Sequence, residues 1–279
     1  MKTKIYENLA ELFPLWRETT LGRVGHEKEE TNFVIGVFKK YSGQIKTVID
    51  LGGGVGLHSD LLQKVGYEVT LFDQSEKALE IAKKNNPNIK IIHGSFETID
   101  IEQTYDAAIC MWSTLSYIFS ETRRETFYNW QKTHIKKLVI LDEANFYRYE
   151  QNFHKIYLGE NDNYKMKVVR DWELTDEHLK KTKFIYELFD KGTGKTEIID
   201  DAENEQYVEI EKLQEYFGSE WNLELYGDYN LDSNFDKEKS PRIIPVFFKG
   251  IKSSRRQKIR KRNPARILPQ TPPAGGNTV

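Results

Sequence analysis

Val48-Ile49-Asp50-Leu51-Gly52-Gly53-Gly54-Val55-Gly56 is the stretch that decides how this chain reads. Its first four residues form a short apolar run carrying one acid, the composition of a buried strand. Four glycines among the five positions 52–56 let the backbone turn tightly and approach a ligand closely. From Leu57 the pattern becomes helical, so the segment reads strand, turn, helix. Such a turn aims backbone N–H groups at whatever lies above the sheet. It marks a cofactor site wherever the surrounding chain alternates strands with helices.

The surroundings do alternate. Phe33, Val34, Val37 and Phe38 recur at helical spacing within 27–41. Strands are predicted over 46–51, 67–72, 89–93, 105–110 and 137–141. Helices are predicted between them over 57–65, 76–85 and 121–134, and Pro87 and Asn88 stop the second of these. Short apolar strands separated by helices predict a parallel sheet with right-handed crossovers. After Asp142 the pattern changes. Strands over 168–172, 184–189 and 206–210 are separated by charged or glycine-containing turns such as Asp190-Lys191-Gly192-Thr193-Gly194. They predict antiparallel structure. A short helix over 211–217 and strands over 221–226 and 243–248 follow.

Composition narrows the class. The 279 residues are 38% hydrophobic, 30% charged and 13% aromatic, a soluble globular balance. One cysteine, Cys110, excludes an intrachain disulfide and a cysteine-based zinc cage. His26, His58, His93, His134, His154 and His178 show no ligand spacing, so no metal is expected. No apolar run reaches the roughly 20 residues of a membrane span, and the start of the chain lacks a signal-peptide apolar region. A cytoplasmic protein is expected. Residues 251–279 hold eight Lys or Arg and no acid, and are read as a disordered basic tail. The rest has 33 basic against 43 acidic residues, so the body is about −10. An acidic body argues against broad nucleic-acid binding.

Here the residues carry a resemblance. Asp50 through Gly56 resembles the acid-x-Gly-x-Gly-x-Gly loop of class I S-adenosylmethionine (SAM)-dependent methyltransferases. Asp73 stands 23 residues after Asp50 at the end of the second strand, where that family places the acid binding both ribose hydroxyls. His93-Gly94-Ser95-Phe96-Glu97 falls where its loop contacts adenine, and Tyr105 to Cys110 is similar to its fourth strand. The likeness covers residues 48–142 well and 221–249 loosely. It implies a Rossmann-like seven-stranded α/β sheet, mostly parallel with the last strand antiparallel, and SAM as the cofactor. Asp50, Gly52, Gly54, Gly56, Asp73, Ser95, Phe96 and Met111 are its implied cofactor-binding residues. Ser95 departs from the pattern, since the family often has Asp there.

Each of these residues also has a structural reading. Asp73 can cap the helix starting near Ser75. Ser95 and Phe96 can be loop packing, and Met111 and Trp112 can be core. NAD is the competing cofactor. Its G-x-G-x-x-G fingerprint requires a third glycine where this chain has Leu57, counting from Gly52, or Ser59, counting from Gly54.

Transfer of an activated methyl group needs alignment and a desolvated site more than it needs acid–base chemistry. A general base is required only where the acceptor must lose a proton. Tyr117, after the fourth strand, and His154, in the insertion, are the candidate catalytic residues. Cys110-Met111-Trp112-Ser113 lacks the prolines that exocyclic-amine methyltransferases of nucleic acids carry there. Cys110 ends an apolar strand and reads as an inert thiol.

The residues after the fourth strand resemble small-molecule members of the family. Similar proteins carry a β-structured cover, which would place Phe146, Tyr147, Tyr149, Tyr157 or Trp172 over the acceptor, with Tyr6 and Trp16 closing over the cofactor. Aromatic walls there would exclude water and hold an ammonium-like centre.

The expected organisation is an N-terminal helical segment (1–44) covering the cofactor site and a SAM-binding core (45–144). A β-rich lid (145–209), the end of the core sheet (210–250) and the tail follow. The expected activity is methylation of a nitrogen or oxygen on a small polar metabolite, without a membrane or nucleic-acid partner. The alternatives are an RNA methyltransferase using the basic tail and a non-catalytic SAM-binding module.

Overall fold

Alternate residues of the first strand point to opposite faces of a sheet, and both faces are covered by helices. The protein is represented by a computed structural model that describes residues 4–7, 9–22, 26–175 and 179–250. The basic tail expected over 251–279 lies outside the described residues, as does the Tyr6 side chain. In chain order the first part contains α1 (Phe13–Leu21), α2 (His26–Tyr41), β1 (Thr47–Leu51), α3 (Leu57–Lys64), β2 (Glu68–Asp73) and α4 (Glu76–Asn85). Then come β3 (Lys90–His93), β4 (Tyr105–Cys110), α5 (Glu121–His134) and β5 (Ile135–Leu141).

Val48 packs with Phe33, Val34 and Val37 of α2 on one face. Ile49 and Leu51 pack with Phe127 and Tyr128 of α5 on the other. Each such buried Ile, Leu or Phe contributes about 1.5–3 kcal/mol.

The second part contains β6 (Glu143–Ala144), β7 (Asn152–Glu160), β8 (Tyr164–Leu174), β9 (Leu179–Asp190) and β10 (Thr196–Gln206). It ends with α6 (Ile210–Phe217), β11 (Asn222–Tyr226) and β12 (Arg242–Phe248). The main sheet runs β11-β12-β5-β4-β1-β2-β3, with β6 beside β12. Strands β3, β2, β1, β4 and β5 pair in parallel, and β12 is antiparallel to both its neighbours. This is the expected Rossmann-like sheet. The connections reverse between β1 and β4, the switch point at which such sheets open a crevice above their carboxyl ends. Asp50 and Asp73 both fall on that edge, one inside β1 and one ending β2.

The insertion forms a separate antiparallel sheet in the order β10-β9-β8-β7. Its strands differ from expectation in two ways. Asn152–Glu160 is a strand that the sequence did not signal, because its apolar residues do not alternate: Phe153 and Tyr157 fall on one face and Ile156 and Leu158 on the other, where they are 51% and 76% exposed. The strand expected over 206–210 lies earlier, over 196–206, and shares only Gln206 with the expected range. The eleven-residue ladder of β10 against β9 ends at Gln206, and Ile210 already begins α6.

The inner face of this sheet buries Met166, Val168, Phe184, Tyr186 and Leu188 against Ile5, Leu9, Phe13, Leu15 and Trp16. Among the described residues, no helix is long and apolar enough to cross a membrane.

Candidate active site

The glycine turn carries the crevice floor. Gly52 N–H donates to Phe72 O at 2.7 Å, tying the turn to β2. Gly54 N–H donates to Asp73 Oδ2 at 2.8 Å, while Ser75 N–H donates to Asp73 Oδ1 at 2.8 Å. Asp73 therefore clamps the turn and the start of α4 at once. A carboxylate offers about four acceptor directions; the N–H groups of Gly54, Ser75 and Gln74 take three of them and leave capacity for a ligand hydroxyl. Burial pushes its carboxyl up, against the pull of the Ser75 and Gly54 N–H groups. Ser75, whose Oγ accepts from Ala78 N–H at 3.1 Å, is the actual cap of α4.

Asp50 lies beneath the turn, fully buried. Its Oδ2 accepts from Ser59 Oγ at 2.7 Å, and its Oδ1 has no hydrogen-bonding partner. Burial raises its carboxyl as well. Gly56 is the residue from which α3 starts.

Two adjoining cavities open above these residues, of about 100 and 300 Å³, and Gly52, Asp73, Gln74, Thr114 and Tyr117 line both. Gly53, Gly54, Val55 and Trp112 floor the first, and Ile5, Ala10 and Phe13 from the N-terminal segment roof it. Ser95, Phe96, Gly94 and Arg123 line the second. Phe96 stacks on Phe72 at 5.8 Å and presents an aromatic wall. Ser95 Oγ accepts from Glu97 N–H at 3.3 Å, opening a single 3-10 turn over Phe96–Thr98.

Met111 is brought near but not in. It is buried in the core beside Val37 and Val246, and lines neither cavity.

The turn after β4 is strained. Trp112 (φ 59°) and Ser113 (φ 61°) both hold the left-handed conformation that non-glycine residues avoid. Such backbone costs of order 1–3 kcal/mol per residue and persists only where its surroundings over-determine it. Asp142 does so. Its Oδ2 accepts from Trp112 N–H, its backbone O from Ser113 N–H, and its carboxylate also holds Tyr229 Oη and Arg242 Nε, all at 2.8 Å.

The Trp112 ring is fixed from the N-terminal side. Its Nε1 donates to Glu30 Oε2 at 2.9 Å and the Arg17 guanidinium lies 3.7 Å above it. Burial opposes charge on Glu30, yet His58, Arg17 and Trp112 together hold its carboxyl below the ordinary range.

Tyr117 and His154 part company. Tyr117 lines both cavities, and its Oη donates to Glu203 Oε2 of β10 at 2.9 Å. His154 stands on β7 with its side chain 63% exposed, pairs with Asp171 at 2.5 Å, and lines neither cavity. The aromatic residues of the insertion also differ from expectation. Phe146 stacks on Tyr207 at 5.1 Å, and Tyr149, Trp172 and Tyr207 surround the ammonium of Lys180 at 4.9, 5.5 and 5.7 Å. The cation in that aromatic cage belongs to the protein itself. Lys180 is buried and ion-paired with Glu205.

Sequence reasoning missed Glu30, Asp142, Glu143, Lys180 and Glu203. Asp142 and Glu143 did carry a signal: like Asp73, they stand at the carboxyl end of an apolar strand. Cys110 is buried, and burial pushes its thiol well above the ordinary value. Among the described residues, no group of three or more His, Cys, Asp or Glu side chains is arranged to hold a metal.

The residues fit the donor that the sequence resemblance implies. Asp73 stands between the cavities with acceptor capacity for a ligand hydroxyl, Phe96 offers a face for a base, and the space beside Gly54 is open to a backbone-close ligand.

Comparison with known proteins agrees. Residues 48–136 match the family described as "Methyltransferase domain". A glycine/sarcosine N-methyltransferase from Aphanothece halophytica is 31% identical over 127 residues, covering 42% of this chain and 46% of that protein. The chain matches less than half the length of the first curated relatives.

In fold, the chain is similar to an S-adenosylmethionine-dependent methyltransferase from Clostridium acetobutylicum. The TM-score is 0.74 at 14% identity, covering 87% of this chain and 99% of that one. The sugar N-methyltransferase KedS8 from Streptoalloteichus has a TM-score of 0.70 at 13% identity, covering 86% and 92%.

Proposed function

We propose that this chain, whose residues 48–136 match a methyltransferase domain, is a class I SAM-dependent enzyme that methylates a nitrogen or oxygen of a small polar metabolite. The observation that carries the reading is the position of Asp73. It holds Gly54 N–H at 2.8 Å and forms the wall common to both cavities. When bound, SAM supplies a methyl group on a sulfonium, already activated for displacement.

Asp73 would hold the donor's ribose hydroxyls and Phe96 with Ser95 its adenine. The turn Gly52 to Gly54 would face the amino-acid end, with Asp50 beneath it and Gly56 starting the helix. Met111 would support this wall from the core. The protein's remaining work is alignment and exclusion of water. Ile5, Ala10 and Phe13 close the first cavity from above, opposite Trp112 and the glycine turn.

In this reading residues 45–144 are the donor-binding core, 145–209 a lid on the acceptor side, 210–250 the end of the sheet and 1–44 a cover. Tyr117, reaching both cavities, is the candidate base. His154, on the solvent side of the lid, has no part in it. Support for a small acceptor comes from the modest size of the cavities and from relatives named for glycine and sarcosine.

Calorimetry with SAM tests the donor site. Asp73→Ala should lose the charge-assisted hydrogen bonds of the diol, about 1.5–3 kcal/mol or roughly 10–150-fold in affinity. Asp73→Asn, which keeps the shape, should lie between the two. Equal affinity in all three proteins would remove Asp73 from the site. Release of S-adenosylhomocysteine with a panel of glycine, sarcosine and amino sugars tests the acceptor class. SAM binding without turnover on any of them would count against that class.

A further inference from the structure

The hydroxyl of Tyr117 joins two parts of the molecule. Its residue belongs to the 3-10 turn Thr114–Tyr117 of the core, and its partner Glu203 belongs to β10 of the inserted sheet. Glu203 is only 7% exposed. A buried carboxylate accepting a phenolic hydrogen is a ready destination for that hydrogen, and a phenol oxygen can accept another in exchange.

We propose that Tyr117 and Glu203 form a proton relay leading out of the crevice where the two cavities that Tyr117 lines adjoin, with Tyr117 Oη taking the acceptor's proton and Glu203 Oε2 receiving the one that Tyr117 gives up. The proposal rests on the methyl-transfer reading of the same site. It narrows the substrate to one whose methyl-accepting atom carries a proton to be lost, an ammonium or a hydroxyl.

The balance is simple. The acceptor's bond to hydrogen breaks, before attack for an ammonium and during it for a hydroxyl; its electron pair stays on the acceptor atom to bond the methyl carbon, and the proton bonds to Tyr117 Oη. The original O–H bond of Tyr117 breaks in the same passage, and that proton bonds to Glu203 Oε2. Tyr117 ends as a neutral phenol and Glu203 as a neutral acid, which later discharges to solvent. Nothing is oxidised or reduced.

The surroundings suit the task. Glu203 is faced by Glu205 on its own strand, Lys180 on β9, Arg170 on β8 and Tyr117 on the turn. Burial and the neighbouring Glu205 raise its carboxyl to about 7, while Lys180, Arg170 and the Tyr117 hydrogen bond restrain the rise. A carboxylate at that level binds a proton near neutrality and can still release it. Glu203 acts through Tyr117 and is a positioning residue; Tyr117 is the group that meets the acceptor.

The test begins without donor or acceptor. Protein labelled with ¹³C at glutamate Cδ is titrated by NMR, in wild type, in Tyr117→Phe and in Glu203→Gln. Glu203 and Glu143 should both titrate above the ordinary range, and the signal absent from Glu203→Gln should shift upward in Tyr117→Phe, because the lost hydrogen bond had favoured the charged form. If that signal titrates in the ordinary range, or does not respond to Tyr117→Phe, the relay is overturned. Loss of SAM binding with the coupling intact would instead overturn the methyltransferase reading alone.

With an acceptor from the panel above, kcat should rise with pH through the Glu203 midpoint. Tyr117→Phe and Glu203→Gln should each lower kcat by roughly tenfold or more while leaving KM for SAM nearly unchanged. Glu203→Asp should recover part of the rate. A Glu203→Gln enzyme that keeps wild-type kcat and the same acidic limb would also overturn the proposal.

Discussion

A Cβ placed on Gly52 would sit 2.3 Å from Thr114 Cγ2 and 3.1 Å from Phe96 Cζ, on backbone held at φ +72°. Gly54 is also left-handed, at φ +55°, but a Cβ there meets nothing within 4 Å. The two positions separate backbone strain from crowding. Gly54→Ala should cost only the left-handed penalty, about 1–2 kcal/mol. Gly52→Ala adds a clash with the turn that carries Tyr117 and should cost at least about 1 kcal/mol more. Urea denaturation of both variants checks the order, and equal losses would contradict it. The residues of this turn were legible in the sequence because they lie together within nine positions. Glu203 was not. Its strand, Thr-Glu-Ile-Ile-Asp-Asp-Ala-Glu-Asn-Glu-Gln over 196–206, has the composition of a solvated edge, and only packing against the core turn buries its acid.

At the scale of elements, the βα units announce themselves and the inserted sheet does not. The helices at 76–85 and 121–134 and the strand at 105–110 match their predicted limits. In the inserted sheet, β9 buries Lys180 and Thr182 along with Phe184, Tyr186 and Leu188, so its inner face mixes polar and apolar residues. No apolar alternation could reveal such a strand end. The arrangement depends on Lys180 pairing with Glu205 inside its ring of aromatic groups. Removing one partner of a buried pair leaves an uncompensated charge, so Lys180→Met should destabilise the protein by about 3–5 kcal/mol. Adding Glu205→Gln should restore a large part of that loss. Denaturation followed by tryptophan fluorescence measures both, and a Lys180→Met loss below about 1 kcal/mol would exclude a structural role for the pair.

For the molecule as a whole, Glu143 sets a dependence on pH. It follows β5, is 8% exposed, and neither of its carboxylate oxygens makes a well-formed hydrogen bond. Burial raises its carboxyl to about 8; Arg242 opposes the rise, and Asp142 and Glu205 add to it. The folded protein thus holds a proton on Glu143 that the unfolded chain releases near 4.5. Between those values the folded state binds more protons, so stability falls as pH rises from 4.5 to about 8 and levels off beyond. The loss is on the order of a few kcal/mol. Glu143→Gln should therefore gain stability over wild type at pH 8, and the gain should shrink towards pH 5. Denaturation at the two pH values decides it, and a gain that grows towards pH 5 would reverse the assignment.

The apolar cluster joining Ile5, Leu9, Phe13 and Trp16 to Met166, Phe184 and Leu188 has a consequence for assembly. Its two halves are separated by about 150 residues of chain, so forming it requires closing a very long loop, an entropic cost that local contacts do not share. The glycine turn and its parallel strands can pair over much shorter spans. During synthesis the early segment must wait for strands made more than a hundred residues later. The floor of the crevice can form first, and its roof is among the last parts to be laid down.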